Sequence, residues 1–281
     1  MRYLVSLIAF AVLMNAQPRR IVSTAPSFTE TVFAIGAGNR VVGVSQHCHF
    51  PLEVDRLPRI GTYIKPNIEA IVRMKPDLVL VHKEQPEVLR QLNSLGIKTL
   101  GLKNTGLEDT YASIRDVGAA TGMVQEAARL EQSIRARLEA IRTASASGPK
   151  KSLLFVVGRS PGRLEGLIVV GKGSFLNELM SFAGGQNVFA DSPVTYPRIS
   201  VEGVLRADPD VIVDMGDMAV TIGVSEQHKQ NVVKLWRQQG SLKAVKQNRI
   251  FAVAEDFFVV PGPRMAEAAE EFAKMLQGMA K

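Results

Sequence analysis

The chain has 281 residues, 46% of them hydrophobic, a single cysteine and a net charge of +7 at neutral pH. Such a length accommodates two compact domains of roughly 100–150 residues each, with ordinary cores, and excludes a disordered chain. Lone Cys48 excludes an internal disulfide framework, and positive charge scattered without a dense basic run gives nucleic-acid binding no support.

Residues 1–16 read as a signal peptide: Arg2 is the positive start, Leu4 to Leu13 the apolar core, and Ala16 a small residue at the cut. The apolar stretch is shorter than the roughly 20 residues a spanning helix needs. No cysteine follows it to carry a lipid. The expected product is a periplasmic, unlipidated monomer beginning near Gln17.

From there β-type runs and helical patterns alternate. Arg20 to Ser23 predicts a strand, and Ser27-Phe-Thr-Glu30 predicts a capped, amphipathic helix ending at Gly36 and Gly38. Strands follow at Val41 to Val44, Leu78 to Val81 and Lys98 to Leu102, with helices at Asn67 to Met74 and Pro86 to Ser94. This order implies a parallel sheet covered by helices. Between Met123 and Arg142, apolar residues at spacings of three and four (Ala127, Leu130, Ile134, Leu138, Ile141) predict one long amphipathic helix. Ser145 to Pro149 breaks it, and Leu153 to Val157 opens a new strand.

The second half repeats the first. Ile68 to Leu80 aligns without gaps on Val201 to Val213; Glu69, Arg73, Pro76 and Asp77 coincide with Glu202, Arg206, Pro209 and Asp210. A weaker echo pairs Glu30 to Asn39 with Glu178 to Asn187. The fold class expected is α/β, two similar parallel-sheet lobes joined by one long helix: a leader at 1–16, a lobe at 17–122, the linking helix at 123–146 and a lobe at 147–281. Between the matched blocks the first lobe is longer, 39 positions from Glu30 to Glu69 against 24 from Glu178 to Glu202. The extra length falls around residues 46–51 and 61–65, and irregular inserts on a rigid scaffold are where binding residues tend to sit.

His47-Cys48-His49 is the densest set of metal donors. A closed zinc site needs four ligands, and only His82 and His228 remain. If the run is extended, both histidines face one way and Cys48 the other; two solvated histidines and a buried cysteine are the plainer alternative. Tyr63, Tyr196 and Asp256-Phe257 lie in irregular stretches where aromatic faces could meet a large planar ligand or simply pack. Arg264, before the final helix, could neutralise an acidic ligand or serve that helix start. Glu69 and Glu202 sit in the first turns of repeated helices, where the dipole alone favours them; their duplication also suits a partner with two basic pockets. Enzyme signatures fail: Gly166 to Lys172 imitates a phosphate loop but Gly173 stands where Ser or Thr belongs, and no complete dinucleotide fingerprint or nucleophile elbow occurs.

Taken together, Arg20-Ile-Val-Ser-Thr-Ala-Pro-Ser-Phe-Thr-Glu30, Val41 to Val44 before the His/Cys loop, Asn67-Ile-Glu69 through Lys75-Pro-Asp77, Gly171-Lys-Gly-Ser-Phe175 and Ala183-Gly-Gly-Gln-Asn187 resemble the helical-backbone (class III) periplasmic binding proteins. That family serves ABC importers of cobalamin, haem and ferric siderophores. Val194-Thr-Tyr196-Pro-Arg-Ile-Ser200 before Glu202 is most similar to the cobalamin receptors. The resemblance implies a shallow cleft between lobes and no catalysis or intrinsic cofactor. It implies a ligand that is a cobalt corrinoid, with haem or a ferric siderophore as alternative, and docking of Glu69 and Glu202 on the membrane permease. His47, Cys48, His49, Tyr63, Tyr196, Asp256, Phe257 and Arg264 are the expected ligand-facing residues, with His47 or His49 at the ligand's metal face or at a polar edge, and His47 the candidate for the metal itself. Cobalamin receptors tend to place tryptophans against the corrin; this chain has Tyr63, Tyr196 and Phe257 instead, and Trp236 falls in a helical stretch.

Overall fold

A computed structural model describes residues 17–216 and 225–277; the expected signal peptide lies outside them. The N-terminal lobe runs β1 (Ile21–Ser23), α1 (Pro26–Ala34), β2 (Val41–Val44), α2 (Ile68–Arg73), β3 (Leu78–His82), α3 (Pro86–Ser94), β4 (Thr99–Leu102) and α4 (Leu107–Thr121). Its sheet is wholly parallel in the order β2-β1-β3-β4. Helix α5 (Val124–Ser145) then leads to the second lobe: β5 (Lys151–Gly158), β6 (Leu167–Val169), α6 (Phe175–Phe182), β7 (Gly185–Asn187), β8 (Arg198–Ile199), α7 (Val201–Ala207), β9 (Val211–Asp214), α8 (Glu226–Arg237), α9 (Lys243–Lys246), β10 (Ile250–Ala252) and α10 (Met265–Gln277).

The parallel part of the second sheet repeats the first, with β7, β5, β9 and β10 in the places of β2, β1, β3 and β4. The second sheet also carries an antiparallel extension that periodicity gave no sign of. Eight-residue β5 is long enough for one edge to pair β7 through Lys151–Leu153 and β6 beyond Val156, and β8 pairs β6.

The sequence repeat has a geometric reason. Lys75 and Asp208 occupy equivalent left-handed positions at φ +46° and +41°, turning each chain out of its helix. The carboxylate two residues on then ties that turn to the first strand of its own lobe. Asp77 accepts from the Arg19 and Arg20 amides at 2.8 and 2.9 Å, and Asp210 from the Ser152 amide and hydroxyl at 2.9 and 2.8 Å. Each helix start is capped by a side chain, Asn67 accepting from Ala70 N–H and Ser200 from Gly203 N–H.

Helix α5, about 33 Å long at 1.5 Å per residue, is the spine. Ala127, Ile134 and Leu138 are buried on it, and one apolar cluster runs through it from Ile21 and Phe28 to Phe155 and Phe272. Its polar face pairs Arg135 with Glu108 of α4 and Arg137 with Glu270 of α10; exposed pairs of this kind contribute only about 0–1 kcal/mol, so the apolar stripe carries the joint. The sharp reversal between α4 and α5 depends on glycine. Gly122 has φ +75°, and a Cβ on Gly118 would stand 2.4 Å from that of Ala127.

Helix α1 departs from its expected start. Its N-cap is Ala25 with no side-chain cap, so Ser27 and Glu30 form no capping box, and Ser27 through Val32 are all buried. The helix is packed within its own lobe and meets the other lobe at Ser27 and Glu30, beside Gly262 and Arg264, rather than lying on a solvated face. Its Thr29 hydroxyl donates to Ser23 Oγ at 2.8 Å, and Ser27 Oγ accepts from Asn104 Nδ2.

Candidate functional site

The C-terminal ends of parallel strands are where α/β sheets place ligands, and the aromatic groups gather there. His82 ends β3; its ring lies 4.6 Å from that of Phe28 and 6.1 Å from that of Tyr63, and His47 is 6.0 Å from Tyr63 on the other side. The loop bearing Tyr63 is held by a bridge between Gly61 and Pro66, by Lys65 N–H donating to Thr62 Oγ1, and by Gln85 Nε2 donating to the Tyr63 carbonyl at 2.6 Å. Tyr63 is thereby presented 43% exposed.

Tyr196 is the counterpart in the second lobe, 41% exposed. Its hydroxyl is tucked 3.0 Å from Ser174 Oγ, which also caps α6 by accepting from Leu176 N–H. Burial of that hydroxyl raises its pKa, the Ser174 hydrogen bond opposes the rise, and Tyr63 adds to it.

The His47-Cys48-His49 run divides. His47 is exposed and His49 half-buried, while Cys48 is wholly buried. Its sulfur lies 3.2 Å from Thr29 Oγ1, its carbonyl accepts from Arg59 at 2.6 Å, and burial pushes the thiol up to about 11. Cys48 is therefore a core residue and leaves the ligand-facing set. Burial also holds His49 and His82 below the usual imidazole range, which favours the neutral form that ligates metals.

Arg264 is already engaged. It forms a bidentate pair with Glu30 across 234 residues, meets Asp256 at 2.8 Å and stacks on Phe50 at 4.0 Å. Phe257 lies 6.0 Å from the guanidinium and packs on Phe258. A second glutamate crosses the other way: Glu178 of α6, the echo of Glu30, accepts from Leu107 N–H at the start of α4 at 3.0 Å. Each lobe thus sends one carboxylate to the start of the other's last helix.

Glu69 and Glu202 are both exposed in the first turns of α2 and α7. Hydrogen bonding from Ser200 holds the Glu202 carboxyl below the usual range.

The residues that sequence reasoning missed are Glu30, Phe50 and His82. The position of His82 at the end of a predicted parallel strand was the available signal. Glu30 had none, because its partner lies at the far end of the chain.

A model of the periplasmic binding protein family matches residues 21–256. The chain belongs to the periplasmic binding protein family. Its members are binding proteins rather than enzymes. The vitamin B12-binding protein of Salmonella choleraesuis is 30% identical over 272 residues, 96% of this chain and 94% of that protein. Among solved structures, the periplasmic vitamin B12-binding protein of Vibrio cholerae superposes with a TM-score of 0.76 at 28% identity, covering 93% of this chain and 98% of that one. The periplasmic haem-binding protein of Roseiflexus sp. RS-1 superposes with a TM-score of 0.78 at 27% identity, covering 94% and 99%. This periplasmic binding protein shares with them the two-lobed α/β architecture.

Proposed function

We propose that this chain is the periplasmic receptor of an ABC importer and that it captures cobalamin or a related corrinoid and delivers it to the permease. The observation that carries the reading is the pair Tyr63 and Tyr196, presented from opposite lobes with about two-fifths of each exposed. Aromatic faces on a rigid two-lobed frame suit a large, flat ligand, and burying one such ring contributes a few kcal/mol. Relatives named as vitamin B12-binding proteins, at about 30% identity, support the corrinoid. His47 and His82 beside Tyr63 favour the second reading, a haem or ferric-siderophore receptor with a histidine or tyrosine at the iron.

Titration of the mature protein with cyanocobalamin, haemin and ferric siderophores, followed by calorimetry and visible absorption, separates the two. Haemin binding with a shifted Soret band, and none of the corrinoid, would reverse the order. Glu69 and Glu202 are the proposed docking pair, duplicated and exposed on α2 and α7. Replacing both by alanine is expected to weaken association with the importer in proteoliposomes while ligand affinity stays unchanged; loss of ligand binding instead would place them in the cleft.

A further inference from the structure

At the junction of the lobes, the Arg264 guanidinium is gripped on two sides by carboxylates. Its Nε and Nη2 pair with Glu30 of α1 at 3.0 and 2.5 Å, and Nη1 meets Asp256 at 2.8 Å. The Phe50 ring covers one face of the guanidinium. Of the five N–H donors of an arginine, these contacts use one each on Nε, Nη1 and Nη2, and among the described residues one on each terminal nitrogen has no acceptor. The side chain remains 13% exposed, whereas Glu30 is 3% exposed.

A cation already faced by two carboxylates offers a third no net attraction, and with Glu30 3% and Asp256 22% exposed the repulsion from them is screened less than at an open surface. A neutral carbonyl oxygen needs only a donor, and two N–H groups are left for it. We propose that Glu30 and Asp256, acting through Arg264, select the ligand of this cleft, admitting macrocycles whose rim carries uncharged amides or esters and rejecting those whose rim carries free carboxylates. This rests on the cleft being the ligand site, and it deepens the corrinoid reading: a corrinoid rim is largely amide, whereas haem carries propionates.

The same geometry predicts a pH dependence. Burial pushes the Glu30 carboxyl up to about 7, against the Arg264 hydrogen bond. The charged or titratable groups facing it are Arg264, Asp256 and Glu267 from the second lobe and Cys48 from the first. Cys48 stays neutral through this range, and His49, which faces Asp256, titrates below its ordinary value. The cluster therefore gains one negative charge as pH rises through about 7, and discrimination against carboxylates grows.

The test uses matched pairs: haemin with its dimethyl ester, and cyanocobalamin with the monocarboxylate made by hydrolysing one rim amide. For whichever pair binds, the uncharged member is expected to bind wild-type protein at least about tenfold more tightly at about pH 8, with a smaller ratio at about pH 6. Glu30→Gln and Asp256→Asn should each reduce the ratio at the higher pH severalfold. A wild-type ratio near one, or a ratio that both variants and the change of pH leave alone, overturns the proposal. Where a variant fails to fold, the wild-type pH dependence decides. If only the haemin pair binds, the corrinoid reading fails and the ester-to-acid ratio still judges the charge selection; binding of neither pair overturns both.

Discussion

Asp214, at the end of β9, is a wholly buried charge held by three hydrogen bonds, and its replacement by alanine should be strongly destabilising. Its Oδ2 accepts from Arg159 Nε at 2.8 Å and from Trp236 Nε1 at 2.6 Å, and its Oδ1 from Gly216 N–H at 2.5 Å. The two side chains of the ion pair are 3% and 0% exposed. Arg159 also donates to the Arg163 carbonyl, so the pair fixes the loop between β5 and β6 at the strand ends. Removing the carboxylate strands a buried guanidinium, a change that costs about 3–5 kcal/mol. The orphaned indole N–H has a desolvation cost of about 1–3 kcal/mol that overlaps with this, so a total near 4–5 kcal/mol is expected. Urea unfolding followed by circular dichroism and by Trp236, the sole tryptophan, measures it. The double variant Arg159→Met, Asp214→Leu removes both charges together and should recover the share of the loss owed to the stranded guanidinium, while the unpaired Trp236 indole N–H keeps its cost. A cost below about 1 kcal/mol for Asp214→Ala, with unchanged urea dependence, would refute the view that this carboxylate organises the strand ends.

Asp210→Ala is expected to cost about 2 kcal/mol, because it strands the half-buried Ser152 amide, and Asp77→Ala about 1 kcal/mol, because water can replace the carboxylate at its exposed position; equal losses in thermal unfolding would contradict the burial argument. Cys48 should resist thiol reagents in the folded protein at mildly alkaline pH and react at once in denaturant, and fast labelling of the native state would show that the thiol is open. Glu30 binds its proton more tightly folded than unfolded, since burial raises its pKa from 4.5 to about 7. The stability it contributes is complete below about pH 4.5 and is lost as pH rises through about 7, in total about 3 kcal/mol. Unfolding free energies across that window should fall in the wild type and flatten in Glu30→Gln; the same slope in both would assign the dependence to another group.

Elements with strong local signals were legible. The spacing of apolar residues in the spine helix, the Pro at the start of α3 and the apolar run of β3 need no distant partner to be recognised, because helix and strand periods are written into neighbouring residues. The antiparallel ribbon of β6 and β8 was not legible: strands of three and two residues are too short to display a period, and their pairing depends on the free edge of β5. Helix α1 misled for a related reason. A Ser and a Glu three residues apart look like a capping box, but the helix is capped two residues earlier, at Ala25, and its Glu is drawn to an arginine in the other lobe.

What the sequence alone determined is the repeat, since the Glu-to-Pro-Asp block encodes a local device, helix, left-handed turn and carboxylate tie, that each lobe uses separately. It also placed Tyr63 and Tyr196 in irregular segments. Only the tertiary structure decided that Cys48 belongs to the core, that His82 stands beside Tyr63, and that Arg264 is shared between Glu30 and Asp256. Those outcomes depend on groups brought together from as far as 234 residues apart, and burial and charge pairing at that separation are properties of the folded surface rather than of any segment read by itself.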